Sequence, residues 1–138
     1  YLAHIALHPA RGKRRAIAPA VVSLRVVTSS ESRKLNSAWR GKDKPTNVLS
    51  FPVGDEEMMI EEGAYQLGDL AICAQVVARE AKEQGKLSAA HWAHMMIHGV
   101  LHLLGYDHEN ARDAEVMESI EVNVLKKFGF PDPYVESL

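Results

Sequence analysis

One cysteine, Cys73, stands among 138 residues, which excludes a disulfide framework. No apolar run approaches the ~20 residues of a membrane span, and no stretch near residue 1 reads as a signal peptide. A lone reduced thiol without an export signal points to a cytoplasmic protein with no membrane partner. Aromatic residues make up only 7% of the chain, so platforms for stacking bases are scarce. Internal repeats and low-complexity stretches are also missing. What remains is ordinary globular material, 46% hydrophobic and 25% charged with a net charge of -2. That is enough to bury one core, and too apolar for disorder. One domain over residues 1–138 is expected.

The small net charge hides an asymmetry. Residues 1–44 carry a balance of +8, and residues 45–138 a balance of -10. A bulk polyanion binder would be basic throughout. An anion would have to meet a local basic surface made by the first third of this chain.

The apolar pattern predicts strands at residues 1–8, 21–27, 48–53 and 67–73. Thr28-Ser29-Ser30-Glu31 matches a capping box and opens a helix over residues 29–39. Further helices are expected at 75–84, 89–104 (Ser88 as N-cap) and 110–128. Basic residues 11–15 and residues 40–45 read as loops, as does acidic 55–63. In the last helix Met117, Ile120, Val124 and Phe128 form one apolar stripe. Strands and helices mix without strict alternation. The fold class is therefore α+β: a small mixed β-sheet packed with helices, with a zincin/metzincin-like metal-site helix.

That helix is residues 89–104. It is apolar almost all round, as a buried central helix is. Yet His91, His94, His98 and His102 fall on one face, within about 40° of His98. Imidazoles are costly to bury unpaired. His98 and His102, one turn apart, can grip one metal from the same side. His94 lies about 12 Å from His102 along the axis and cannot complete that set. A ligand arriving beyond the helix end can: Gly105 turns the chain and His108 follows. The spacing H-x-x-x-H-x-x-G-x-x-H is that of the metzincin proteases. Their general base, a Glu after the first His, is replaced here by Gly99. Three protein ligands leave one position open, the mark of a catalytic zinc site.

The run His98-Gly99-Val100-Leu101-His102-Leu103-Leu104-Gly105-Tyr106-Asp107-His108 is one of three blocks with a common resemblance. The second comprises Leu35-Asn36 and Arg40-Gly41-Lys42-Asp43-Lys44-Pro45-Thr46-Asn47-Val48-Leu49-Ser50-Phe51-Pro52, and the third spans residues 67–73. On these blocks the chain resembles the YbeY endoribonucleases, from about residue 22 to residue 134. Members of that family usually have a longer stretch, with a helix, between their first two strands than residues 1–20 offer. The resemblance implies a single-strand-specific, metal-dependent endoribonuclease. It would act in small-subunit (16S-type) rRNA 3′-end maturation and in ribosome quality control. The implied partners are single-stranded and ribosomal RNA, and the small ribosomal subunit with its proteins. The implied cofactor is one Zn2+ per chain on His98, His102 and His108, with Arg40 functionally important.

Arg40 and His98 are thus the expected catalytic residues, with Lys42 and Lys44 as further substrate-binding candidates. A guanidinium at Arg40 could bind the scissile phosphate and share its developing charge. Arg11, Lys13, Arg14 and Arg15 could hold RNA backbone, although such a run is more often only solubilising. Trp39 could stack on a base, but a core role is the more usual one. His94, one turn before His98, could relay a proton, but a structural, hydrogen-bonded histidine is the more usual reading. Asp107 either orients a metal histidine or caps the last helix. Cys73 reads as an inert small hydrophobe. The nucleophile is either zinc-activated water or the RNA 2′-hydroxyl, which leave a 5′-phosphate and a 2′,3′-cyclic phosphate respectively. Two other classes stay open: a zinc peptidase with an unusual base, and a ribosome-associated RNA-binding module whose zinc is structural.

Overall fold

The computed structural model describes residues 2–7, 20–53, 59–60 and 64–135. In chain order the elements are β1 (Leu2–Leu7), β2 (Ala20–Val27), α1 (Ser29–Arg40), β3 (Val48–Pro52), β4 (Met59–Ile60), β5 (Ala64–Cys73), α2 (Ala74–Gln84), α3 (Ser88–Leu103) and α4 (Ala111–Lys127). The strands form one mixed sheet in the order β1-β2-β5-β3, with β4 pairing the start of β5. Among the described strands only β2 and β5 run parallel. The fold is α+β, as the mixed pattern predicts. The basic run at residues 11–15 lies outside the described residues, as does most of the acidic loop at 55–63.

β5 is central and buried on both faces, and its period of two sorts its side chains. Leu70 and Ile72 join Val22, Leu24, Met95, Val100 and Leu103 on the α3 side. Ala71 and Cys73 join Val27, Leu49 and Val76 on the other, where Leu35 of α1 packs. Cys73 is fully buried and unpaired, as expected of a small hydrophobe. α3 packs across β3 and β5 and against α2 and α4.

Two glycines set how closely these layers approach. Gly68 has φ +143, and a Cβ there would lie 2.3 Å from the Phe51 carbonyl oxygen. At Gly99 a Cβ would sit 2.8 Å from Leu70 Cδ2 and 3.1 Å from Val48 Cγ2. The place of the metzincin base is thus pressed into the core, where Ser50 Oγ also donates to the Gly99 carbonyl at 3.0 Å. Any side chain there would force Leu70 and Val48 to shift, so packing disfavours a metzincin-type glutamate at this position. Gly99→Ala should cost about 1–3 kcal/mol through overpacking. Gly99→Glu should lower the melting temperature further and bring no peptide cleavage. Wild-type melting with measurable peptidase activity in Gly99→Glu would refute this.

Local chemistry explains the helix ends. Glu31 N–H donates to Thr28 Oγ1 at 3.1 Å and Thr28 N–H to Glu31 Oε1 at 3.2 Å, completing the predicted capping box. α3 differs from expectation. Its N-cap is Leu87, which makes no side-chain cap bond, and Ser88 is the first helical residue. Asn110 caps α4 by accepting from Asp113 N–H at 2.9 Å, so Asp107 does not cap it. Phe128, expected on the buried stripe, is 72% exposed; the buried line of α4 is Met117, Glu121 and Leu125. Among the described residues no helix is long and apolar enough to cross a membrane.

Candidate metal centre and nucleic-acid cleft

α3 carries the four histidines along one stripe, and their environments differ. His91 and His94 are buried, whereas His98 and His102, one and two turns further on, are half-buried. Gly105 takes φ +98 after the helix ends. Tyr106 N–H reaches back to the Leu101 carbonyl at 3.0 Å, folding the chain over the last turn. His108 is thereby returned to the two helical imidazoles. Its ring stacks on His98 with centroids 5.5 Å apart and meets His102 at 5.1 Å. One donor nitrogen from each of the three lies within 4.8 Å of the others. His98 Nε2 and His102 Nε2 are 3.2 Å apart. Two nitrogens bound at ~2.0–2.1 Å to one tetrahedral ion lie about 3.3–3.4 Å apart. The donor set therefore fits a metal ion.

The tautomer of His98 is set from behind. Its Nδ1 donates to Glu121 Oε2 at 2.7 Å, which leaves the Nε2 lone pair facing the cleft. Glu121 is fully buried. Its Oε2 also receives His94 Nε2 at 3.2 Å, and its Oε1 accepts from the Tyr134 hydroxyl. Burial alone would raise this carboxyl's pKa. The bonds from His94, His98 and Tyr134 outweigh burial and hold it at about 2. The Tyr134 phenol is pushed up, by burial first and then by its bond to Glu121. His94, His98 and Glu121 also come close enough together to hold an ion. Both Glu121 oxygens are already engaged, however, and no surface of that residue is open. The carboxylate is an anchor for His98 rather than part of an accessible metal site. His94 has the structural hydrogen bond expected of it, and His91 Nε2 pairs with Glu80 Oε1 at 2.9 Å. Burial first, and then the neighbouring His98 and His108, lower the pKa of His102, which favours its neutral form.

A cavity of about 370 Å³ opens in front of the three histidines. Arg40, the last residue of α1, lines it together with Trp39, Asn47 and Ser50. The loop after Arg40 is firmly tied. Buried Asn36 donates to the Lys44 carbonyl at 2.8 Å, and buried Ser32 exchanges bonds with Thr46 at 3.0 and 2.9 Å. Arg33 clamps Asp43 with two bonds, 2.7 and 2.9 Å. Asn47 Nδ2 donates to Glu80 at 3.1 Å. Lys42 and Lys44 are exposed in this loop and do not line the cavity. Trp39 overturns its expected core role: it is 56% exposed, tilted against Phe51 at 5.1 Å. Asp107 Oδ1 accepts from His108 N–H at 2.7 Å, steadying the turn rather than an imidazole. A larger cavity, about 460 Å³, lies by His91 and His94. It touches none of the three histidines that share the cleft, so the smaller one is where chemistry can occur.

The profile of a protein family described as Endoribonuclease YbeY matches residues 3–129. The chain belongs to this family. Endoribonuclease YbeY of Halorhodospira halophila is 57% identical over 115 residues, 83% of this chain and 75% of that protein. Endoribonuclease YbeY of Alkalilimnicola ehrlichii is 56% identical over 116 residues, 84% of this chain and 69% of that protein. The solution structure of TM1509 from Thermotoga maritima is 29% identical, with a TM-score of 0.49, covering 78% of this chain and 69% of that one. The YbeY match spans both the histidine block and the Arg40 loop.

Sequence reasoning missed Glu121 and Tyr134 in this YbeY-family site, and the tethers Ser32 and Asn36. A signal existed for Glu121. It falls four residues after Met117 and four before Leu125, an acid in the middle of an apolar line.

Proposed function

We propose that this chain is a single-strand-specific, zinc-dependent endoribonuclease, with residues 1–138 acting as one unit. Its proposed role is small-subunit (16S-type) rRNA 3′-end maturation and ribosome quality control in the cytoplasm, alongside the small ribosomal subunit and its proteins. Membership of the YbeY family supports RNA as the substrate. The observation that carries the mechanism is the set of three imidazoles facing a cleft that Arg40 also lines.

In this reading His98, His102 and His108 hold one zinc through neutral nitrogens, a donor type that suits this ion. When bound, zinc supplies Lewis-acid polarisation of a phosphoryl oxygen and lowers the pKa of an attached water. Arg40 pairs with the phosphate to be cut and shares the charge that grows on it. Glu121 keeps the proton of His98 on Nδ1. Gly99 provides no carboxylate, so the proton acceptor is not the metzincin one. The helix, glycine turn and third histidine are the zincin-like element of the proposal.

Metal-loaded protein should cut single-stranded RNA and spare a duplex of the same sequence. RNA left intact by the loaded protein, with normal RNA affinity, would favour a binding module with structural zinc. Glu121→Gln bears on the anchor. An amide offers one acceptor and one donor where the carboxylate offers two acceptors. Zinc affinity should fall about 10- to 100-fold, as read by competition with a chromophoric chelator. Unchanged affinity would reduce Glu121 to a core filler.

A further inference from the structure

Ser32, Leu35, Asn36 and Trp39 form one i, i+3, i+4, i+7 stripe on α1. The first three lie under the fold: Ser32 and Asn36 are buried, and Leu35 packs against the core. Trp39 continues the stripe past the packed region and overhangs the cleft, 56% exposed. Trp92, by contrast, is packed against the main core cluster. One side of the Trp39 ring is braced by Phe51, with centroids 5.1 Å apart. The rest stands open beside Arg40 and the three histidines. A braced, open indole next to a guanidinium matches the two parts of a single-stranded nucleic acid: flat base faces and a phosphate backbone.

We infer that Trp39 is a stacking platform for an unpaired nucleobase adjoining the bond to be cut. This rests on the proposed endoribonuclease reading. The platform gives a physical origin for selecting single strands. A duplex buries its base faces in its own stack, while an unpaired base can leave its neighbours and lie on an indole. Every base has such a face, so the subsite tolerates any sequence.

The test uses zinc-loaded wild type, Trp39→Ala and Trp39→Phe with a short labelled single-stranded RNA. Binding is followed by fluorescence polarisation, and products are counted in the same samples. Stacking of one base is worth roughly a 5- to 150-fold change in affinity on alanine substitution. Trp39→Ala should bind that much more weakly, and Trp39→Phe should recover most of the loss. An abasic nucleotide beside the mapped cut should weaken wild type and leave Trp39→Ala no worse, because the partner ring is already gone. A merely structural tryptophan would not remove that penalty. Equal affinity of Trp39→Ala and wild type, or an equal abasic penalty in both, overturns the inference and hands the exposed ring to a protein partner. Wild type that binds RNA without cutting it overturns the endoribonuclease reading, while the affinities still decide Trp39.

Discussion

An alanine at His98, His102 or His108 is expected to take the zinc content from one ion per chain to none, measured by elemental analysis after dialysis. Two imidazoles alone leave half of a tetrahedral shell to solvent. The three variants should part company in the stability of their metal-free forms. His108 is exposed in the turn after α3, and its loss should leave the melting temperature unchanged. His98 supplies one of the bonds that hold buried Glu121. Removing it takes one of three donors from a buried carboxylate, a change that costs about 1–3 kcal/mol. Zinc should also leave wild type as the pH falls, because neutral imidazole is the ligand and the proton its competitor. Burial first, then the other two histidines, pulls the His102 pKa below its ordinary 6.5. Proton competition at that ligand therefore sets in at lower pH than for a free histidine. Full zinc occupancy in any of the three variants would refute the triad.

Arg40→Ala should retain zinc and fold yet cut RNA about 10²–10³-fold more slowly at saturating substrate, the loss of roughly 3–4 kcal/mol of charge stabilisation. Arg40 makes none of the bonds that tie down the loop after it. Those belong to Ser32, Arg33 and Asn36, so the substitution should not disturb the frame. Arg40→Lys should restore little, because a point charge lacks the paired fork of a guanidinium. Lys42→Ala and Lys44→Ala should change the rate far less, since neither side chain reaches the cavity. Single-turnover kinetics separate these cases. A wild-type rate in Arg40→Ala would reduce this residue to a surface charge.

The parts of this molecule written in local pattern were legible in its sequence. The capping box of α1, four of the five strands and the buried α3 follow from spacing. So does the return of His108, since a glycine at positive φ is what lets the chain reverse there. The two-residue β4, Met59–Ile60, falls in the stretch read as an acidic loop. Hydrophobic periodicity fails where burial depends on partners far along the chain. Glu121 is buried because His98, 23 residues away, and Tyr134, 13 residues away, satisfy it. No window over α4 contains both partners, so an apolar stripe ending at Phe128 looked sound. Trp39 fails in the opposite direction: it has the right position on the helix for burial, but among the described residues no layer covers it.

The bond from Tyr134 gives the order of synthesis a bearing on the site. All three cleft histidines, and Glu121 itself, leave the ribosome before the phenol that completes the carboxylate's set of donors. A chain stopped short of residue 134 would carry all three cleft histidines and still hold a buried oxygen with no donor, a deficit of about 1–3 kcal/mol. Copies that end before Tyr134 would therefore present His98 on a looser anchor than the intact chain does, so the stretch after α4 acts on the cleft without touching it.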